Sequence, residues 1–241
     1  MKPTKSDFTS REWKIIQSHR TPLEVQRFLR KLPYNREPNG ATCLSFREAI
    51  RQNKAHCLEA AMIAAVILEQ HDYPPLMVSI ESQDKLDHVL FLYKENGRYG
   101  SVARSRDTGL HGRKPLFKSV RDLVLSYIDA YVDKTGRITG YGWTSLAELG
   151  SYNWRFSTRN VWLVERHLQH IPHRTIRTSD ARYHRWHRRY LEFQSMHPGV
   201  SPAYYPNTIQ WLDWPSKLAQ NNEHREKAIV KKVHKKGWKD R

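Results

Sequence analysis

The sequence predicts an α+β fold in which a buried helix packs on an antiparallel sheet. The segment 57–68 is apolar on nearly every side, which is typical of a helix enclosed by protein. Two stretches rich in strand-forming residues follow it, at 76–80 and 87–93. The pair Asn96-Gly97 then gives a strong signal for a two-residue hairpin turn. We therefore expect the chain to turn back there into a third strand.

Capping patterns predict two helices before this central helix. Thr21-Pro22-Leu23-Glu24 combines an N-cap hydroxyl, a proline at the first helical position and a capping-box glutamate. Ser45-Phe46-Arg47-Glu48 repeats the capping box and opens a short helix that we expect to end near Gln52.

Three further helices are predicted after the hairpin. Ser119 caps a segment in which apolar residues recur at helical spacing as far as Tyr131. The segments 161–170 and 179–193 also have helical patterns, and the second carries arginines around an aromatic stripe. The glycine-rich and aromatic stretch 134–160 between them is expected to form loops and short pieces.

The chain has 241 residues, enough for one well-buried domain with an extension. We expect N-terminal helices over 1–40 and the α+β core over 41–150. A basic, aromatic-rich helical extension is expected to pack on the core over 151–221. The basic and apolar-poor residues 222–241 predict a disordered tail.

The sequence has no run of 18 apolar residues, and its first residues lack the apolar segment of a secretory signal. These features predict a cytoplasmic protein that does not contact a membrane. The only two cysteines, Cys43 and Cys57, cannot form a disulfide framework. A reducing compartment would keep both as thiols.

Cys57 is the candidate nucleophile because it stands at the predicted start of the most apolar helix. Unpaired amides and the helix dipole favour a thiolate at that position. The same amides stabilise an oxyanion, and the Cys57 N–H is the natural first donor, with Asn53 or Gln52 considered for the second. Cys43 is interpreted as a buried, inert thiol.

His88 is the candidate base, because it opens a strand that follows the helix and could reach back to the thiol. If Asn96-Gly97 is the turn, paired positions sum to 193, so His88 lies opposite Ser105 and Asp107 points to the same side. Either side chain could orient the His88 ring. Asp107 supplies a negative charge, whereas Ser105 has the more direct register.

This order of residues resembles the transglutaminase-like superfamily, whose core is a papain-like α+β fold. More narrowly, several segments are similar to bacterial transglutaminase-like proteins without an assigned substrate: Ala55 to Ala61, Asp87 to Phe91, Gly97 to Ser101, Gly112 to Pro115 and Leu125 to Tyr127. The resemblance covers about 42–131. It implies acyl transfer by a thiol, or hydrolysis of an amide or peptide bond, on a protein or peptide substrate and without metal or organic cofactor. The superfamily usually has an aspartate a few residues after a tryptophan on the second hairpin strand, whereas this chain has Tyr99 and, four residues later, Ala103.

A binding function is the competing hypothesis, because the formal net charge is +17. Such a charge attracts nucleic acid or an acidic protein surface. In a binding module built on an inactive core, phosphates would be held by the arginines of the 179–193 helix, Arg182, Arg185, Arg188 and Arg189. A scaffold for protein interactions, using tryptophan and tyrosine surfaces, is a third hypothesis.

A metal site is not expected, although histidines recur every three residues at 167–173 and at 184–187. These stretches lie among arginines and lack thiolates or carboxylates placed to complete a zinc site. Glycine-rich nucleotide-binding loops are absent from the sequence.

Overall fold

The computed structural model describes residues 2–196 and Pro198. The eight helices of this part of the chain are α1 Ser10–Ser18, α2 Pro22–Lys31, α3 Phe46–Gln52, α4 Cys57–Glu69, α5 Val120–Leu125, α6 Ile128–Tyr131, α7 Trp162–His170 and α8 Asp180–Met196. The six strands are β1 Leu76–Ser82, β2 His88–Glu95, β3 Arg98–Val102, β4 Arg113–Phe117, β5 Ile138–Ser145 and β6 Arg174–Thr175. The predicted tail, 222–241, and the end of the predicted extension lie outside the described residues.

The six strands form one antiparallel sheet in the order β4-β3-β2-β1-β5-β6. Successive residues of β2 point to opposite faces, as strand geometry requires. Val89, Phe91 and Tyr93 join the core around α4, while Leu90 and Leu92 join a second core with α5 and α6. The predicted α+β class, with a buried central helix packed on an antiparallel sheet, is thus confirmed.

The predicted hairpin is present, but its ladder is shorter than expected. Asn96 and Gly97 both have positive φ, at 48° and 74°, as the predicted turn requires. The pairs from Phe91↔Val102 to Glu95↔Arg98 all sum to 193. The ladder ends at Val102, so the expected pairing of His88 with Ser105 is not formed.

The prediction of loops and short pieces over 134–160 was wrong for its first part, because β5 lies there and pairs with the whole of β1. Two glycines hid this strand from the sequence pattern, and both are needed for close packing. A Cβ at Gly140 would overlap the Glu81 carboxylate, and one at Gly142 would lie 2.9 Å from the Ile171 side chain. Glycine is therefore present at the two positions of β5 where the side chains of Glu81 and Ile171 lie against the strand.

The helix predicted from Ser119 to Tyr131 is divided into α5 and α6. The break falls at Ser126, whose hydroxyl donates to Leu123 O at 2.6 Å. The guanidinium of Arg113 bonds to the Ser126 hydroxyl at 3.2 Å. The interrupted helix thus provides polar groups to a buried arginine.

Candidate active site

The Cys57 thiol lies at the first residue of α4, on a cavity of about 480 Å³. The rest of the helix, from Leu58 to Glu69, is buried, so the backbone that carries the thiol is held firmly. Cys57 itself keeps part of its surface exposed. The site therefore combines a rigid position with access for a substrate.

Two histidines bond to this thiol, and they change its acidity. Burial alone would raise the pKa of Cys57, but hydrogen bonds from His56 and His88, together with their charges, lower it to about 5. The thiolate is therefore the form expected at neutral pH. A thiolate is the nucleophilic form of cysteine.

The His88 ring is oriented by a backbone carbonyl. Its Nε2 donates to Leu110 O at 2.9 Å, and the side chain is buried. Because Nε2 is engaged there, Nδ1 is the ring nitrogen left for the thiol. The Tyr127 ring packs edge-on at 6.2 Å between centroids, which further restricts the imidazole.

Ser105 and Asp107, the residues expected to orient His88, both line the cavity, but the hydrogen bond shown for the His88 ring goes to the Leu110 carbonyl. The Ser105 hydroxyl instead accepts from the Asp107 amide at 3.2 Å. The register argument placed these residues beside His88 by extending β3 to position 105, whereas that strand ends at Val102. The chain then loops outward and returns at Leu110, whose carbonyl takes the place expected for a side chain.

A buried arginine fixes the loop that carries this carbonyl. Arg113 Nη1 donates to His111 O and Nη2 to Gly109 O, both at 2.6 Å, so the guanidinium bonds to the residues on either side of Leu110. Arg113 has no exposed surface and stacks on the Tyr127 ring at 3.9 Å. Among the described residues no carboxylate pairs with Arg113, so its charge is held by carbonyl dipoles and an aromatic face.

The other anchor of this loop is Gln26 of α2, which is almost fully buried. Its side chain donates to Ala103 O and accepts from Ala103 N, both at 2.9 Å. It also accepts from Gly112 N at 3.2 Å. One amide thus joins the two ends of the loop, and the N-terminal helices take part in building the site.

His56, the N-cap residue of α4, is the second imidazole at the thiol. Its Nε2 lies 3.0 Å from Thr42 O and 3.3 Å from Glu59 Oε1. Burial would lower the pKa of His56, but its hydrogen bond to Cys57 and the charges of Cys57 and Glu59 raise it to about 9. From the sequence, His56 was expected to face solvent or to cap the same helix, with a role beside the thiol as an alternative.

Tyr34 is a further cavity residue that sequence reasoning missed. Burial, followed by the nearby charge of Cys57, raises the pKa of its hydroxyl, which stays protonated and able to donate. Asn53, the expected second oxyanion donor, is exposed, ends α3 in a left-handed conformation and does not line the cavity. The role shown for Asn53 is therefore to end α3.

The second cysteine, Cys43, lies in a different environment from Cys57. Cys43 has no exposed surface, and burial raises the pKa of its thiol. The two cysteines therefore differ both in exposure and in acidity, and Cys43 provides a matched internal control for any thiol chemistry.

The four arginines proposed to bind phosphate all lie on α8, but some already have partners. Arg182 pairs with Asp129 at 2.6 Å, while Arg185 and Arg189 lie over the Trp186 ring. Arg188 is exposed. The ion pair with Asp129 reduces the charge that Arg182 can offer to a nucleic acid, whereas the ring contacts of Arg185 and Arg189 leave their charges in place.

Two features are absent from the described residues. In this part of the chain no three histidine, cysteine, aspartate or glutamate side chains are grouped to hold a metal ion. None of the described helices has the length and apolar character needed to cross a membrane.

Comparison with known proteins gives only a distant likeness of fold. The calcium-bound structure of Legionella pneumophila LapG matches at 15% identity and a TM-score of 0.37, over 67% of this chain and 94% of that one. A second LapG structure matches at 13% and 0.34, over 60% and 87%, and the EGTA-treated form at 12% and 0.33, over 60% and 83%. No protein-family model and no curated protein matches the chain.

Proposed function

We propose that this protein is a thiol-dependent acyl-transferase or amide and peptide hydrolase in which Cys57 is the nucleophile and His88 the acid–base group. One arrangement carries the proposal: the Cys57 thiol lies on an open cavity at the rigid start of a helix, and the histidines at 56 and 88 lower its pKa. The resemblance of the flanking segments to transglutaminase-like proteins supports the same chemistry.

The reaction has two steps. In the first, the Cys57 sulfur attacks the acyl carbon, a C–S bond forms, and the bond to the leaving group breaks. The leaving group takes up the proton that the thiol had given to an imidazole. In the second step, water or an amine attacks the thioester, gives its proton to His88 and releases the thiolate.

In both steps a negative charge develops on the oxygen of the acyl group, and hydrogen-bond donors are needed to stabilise it. The Cys57 N–H belongs to the first turn of α4, where amides have no partner within the helix. The Tyr34 hydroxyl is our candidate for the second donor, because it lines the same cavity and stays protonated.

A generic acyl donor tests the proposal without knowledge of the natural substrate. p-Nitrophenyl acetate should give a burst of p-nitrophenol, and mass spectrometry should find one acetyl group on Cys57. Cys57→Ala should abolish the burst, and His88→Ala should keep the burst but slow the breakdown of the acyl-enzyme by about 100-fold or more. The matched control, Cys43→Ala, should keep the burst.

Acetylation that persists in Cys57→Ala, or that is no faster than with free cysteine, would contradict the proposal. Addition of an alkylamine separates the two activities. Faster breakdown of the acyl-enzyme with formation of an acetamide identifies a transferase, whereas insensitivity to the amine identifies a hydrolase.

A further inference from the structure

We propose that His56, and not His88, is the cationic partner of the Cys57 thiolate in the resting protein. The inference rests on the proposed function, because it assigns the proton that the nucleophile must release. It leaves His88 free to accept a proton from the water or amine that attacks the thioester.

The surroundings of the His56 ring fix the position of its first proton. Nε2 faces only acceptors: Thr42 O at 3.0 Å, Glu59 Oε1 at 3.3 Å and Glu37 Oε1 at 3.8 Å. Nε2 therefore carries hydrogen, and Nδ1 is the nitrogen left to face the thiol. When Nδ1 takes the proton of the Cys57 S–H group, both N–H groups of the imidazolium have partners.

The carboxylate behind His56 is held in place by a set of donors. Glu59 has no exposed surface and accepts from Leu44 N at 2.9 Å and from the His56 backbone N–H at 2.9 Å. The Thr42 hydroxyl at 2.8 Å and the Asn35 amide at 3.0 Å complete this set. His56 is the one side chain among the described residues that forms an ion pair with Glu59. A buried carboxylate with a single cationic contact stabilises the positive charge there.

The His88 ring has no comparable support. Its Nε2 bonds to a neutral carbonyl, Leu110 O, and no carboxylate in the described part of the chain lies within ion-pair distance of it. The nearby His111 is kept uncharged, because burial and the charge of Arg104 lower its pKa to about 3.

The charged and titratable groups that face His56 come from several elements and mostly favour its protonation. They are Cys57 and Glu59 on α4, Glu37 and Tyr34 before α3, His88 on β2, and Glu165 of α7, which lines the same cavity. Of these, only His88 would oppose a charge on His56. The cationic side chains of Arg36, Lys85 and Arg106 also line the cavity, but none of them is among the causes that shift the pKa of His56. Proton transfer from Cys57 to His56 is therefore favoured over transfer to His88.

The pH dependence of Cys57 alkylation distinguishes the two histidines. The rate of iodoacetamide labelling should be measured from pH 4 to 10 in wild type, His56→Gln and His88→Gln, each carrying Cys43→Ala. We expect His56→Gln to move the midpoint upward by about two pH units or more, a 100-fold change in the ionisation constant. We expect His88→Gln to move it by less than one.

The reverse order, equal shifts in both variants, or no shift in either would overturn the proposal. Circular dichroism checks that each variant is folded, and NMR of ¹⁵N-labelled histidines in the wild-type chain gives a second measurement that needs no substitution at His56. The His56 ring should show imidazolium shifts at pH 7.5, and Cys57→Ser should convert it to the neutral form. A neutral His56 beside the intact thiol would refute the assignment. Because alkylation needs no turnover, a missing p-nitrophenol burst with the expected shift would reject the proposed function alone.

Discussion

At the scale of single residues, the sequence identifies Cys57 and His88, and the fold places further groups beside them. Cys57 and His88 carry chemical signals of their own, a thiol at a helix start and an imidazole opening a strand. Tyr34 carries none, because a tyrosine after a helix is common, and only the fold brings it to the cavity. We expect the loss of its hydroxyl to remove a hydrogen bond to the oxyanion and to leave the thiol in place.

Tyr34→Phe should therefore slow acylation by p-nitrophenyl acetate by about 10- to 100-fold, which is the lower part of the range for loss of an oxyanion donor. The rate of iodoacetamide alkylation should stay within about twofold of wild type, because that reaction forms no oxyanion. The acylation rate and the alkylation rate are measured on the same protein and compared.

Equal loss in both reactions would show that Tyr34 acts on the thiol and not on the oxyanion. Tyr73→Phe is a matched control, since Tyr73 lies outside the cavity and bonds to Glu95 at 2.6 Å. We expect this variant to change neither rate.

At the scale of elements, the decisive feature is the loop between β3 and β4. Its Leu110 carbonyl replaces the side chain that the hairpin register predicted, and it does so because Arg113 bonds to both neighbouring carbonyls. Gln26 of α2 joins the ends of the same loop. Gly112 is required at the return, because a Cβ there would overlap Ser101 O.

Arg113→Met should destabilise the protein by about 1–3 kcal/mol, because it leaves the Gly109 carbonyl buried without this donor. The steady release of p-nitrophenol after the burst should also slow, since the freed Leu110 carbonyl no longer holds the His88 ring. Urea unfolding and this steady rate measure the two effects. An unchanged steady rate in a folded Arg113→Met protein would show that the loop does not position His88.

A matched control is available directly after β4. Lys118→Met removes one positive charge from an exposed position after β4 and should leave both quantities at their wild-type values. Comparing the two variants separates the loss of the buried hydrogen bonds of Arg113 from the loss of one positive charge.

The elements also show which parts of the fold a sequence can predict. The central helix and the hairpin follow from an apolar run and from a turn whose residues must have positive φ, and both were found. The strand β5 was missed because its glycines removed the alternation that marks a strand. The Leu110 carbonyl could not be predicted at all, since a backbone group leaves no signature in the residue type.

At the scale of the whole molecule, the Cys57–His56 pair links the site to folding. The ordinary pKa of the cysteine, 9.0, falls to about 5, so its contribution to stability is complete above pH 9 and is lost as the pH falls through 5. The ordinary pKa of the histidine, 6.5, rises to about 9, so its contribution is complete below pH 6.5 and is lost as the pH rises through 9. The two dependences oppose each other between pH 6.5 and 9.

The free energy of unfolding should therefore be nearly independent of pH from about 6.5 to 9 as far as this pair is concerned. Below pH 6.5 both states hold a protonated histidine, and only the cysteine term remains. From pH 6.5 to 5 the wild-type protein should then lose about 2 kcal/mol more than Cys57→Ala does. Urea unfolding at a series of pH values gives the difference between the two proteins, and Cys43→Ala should follow the wild-type curve. Parallel curves for wild type and Cys57→Ala through this range would mean that folding does not place a thiolate beside His56, because a thiol that is already protonated takes up no proton as the pH falls.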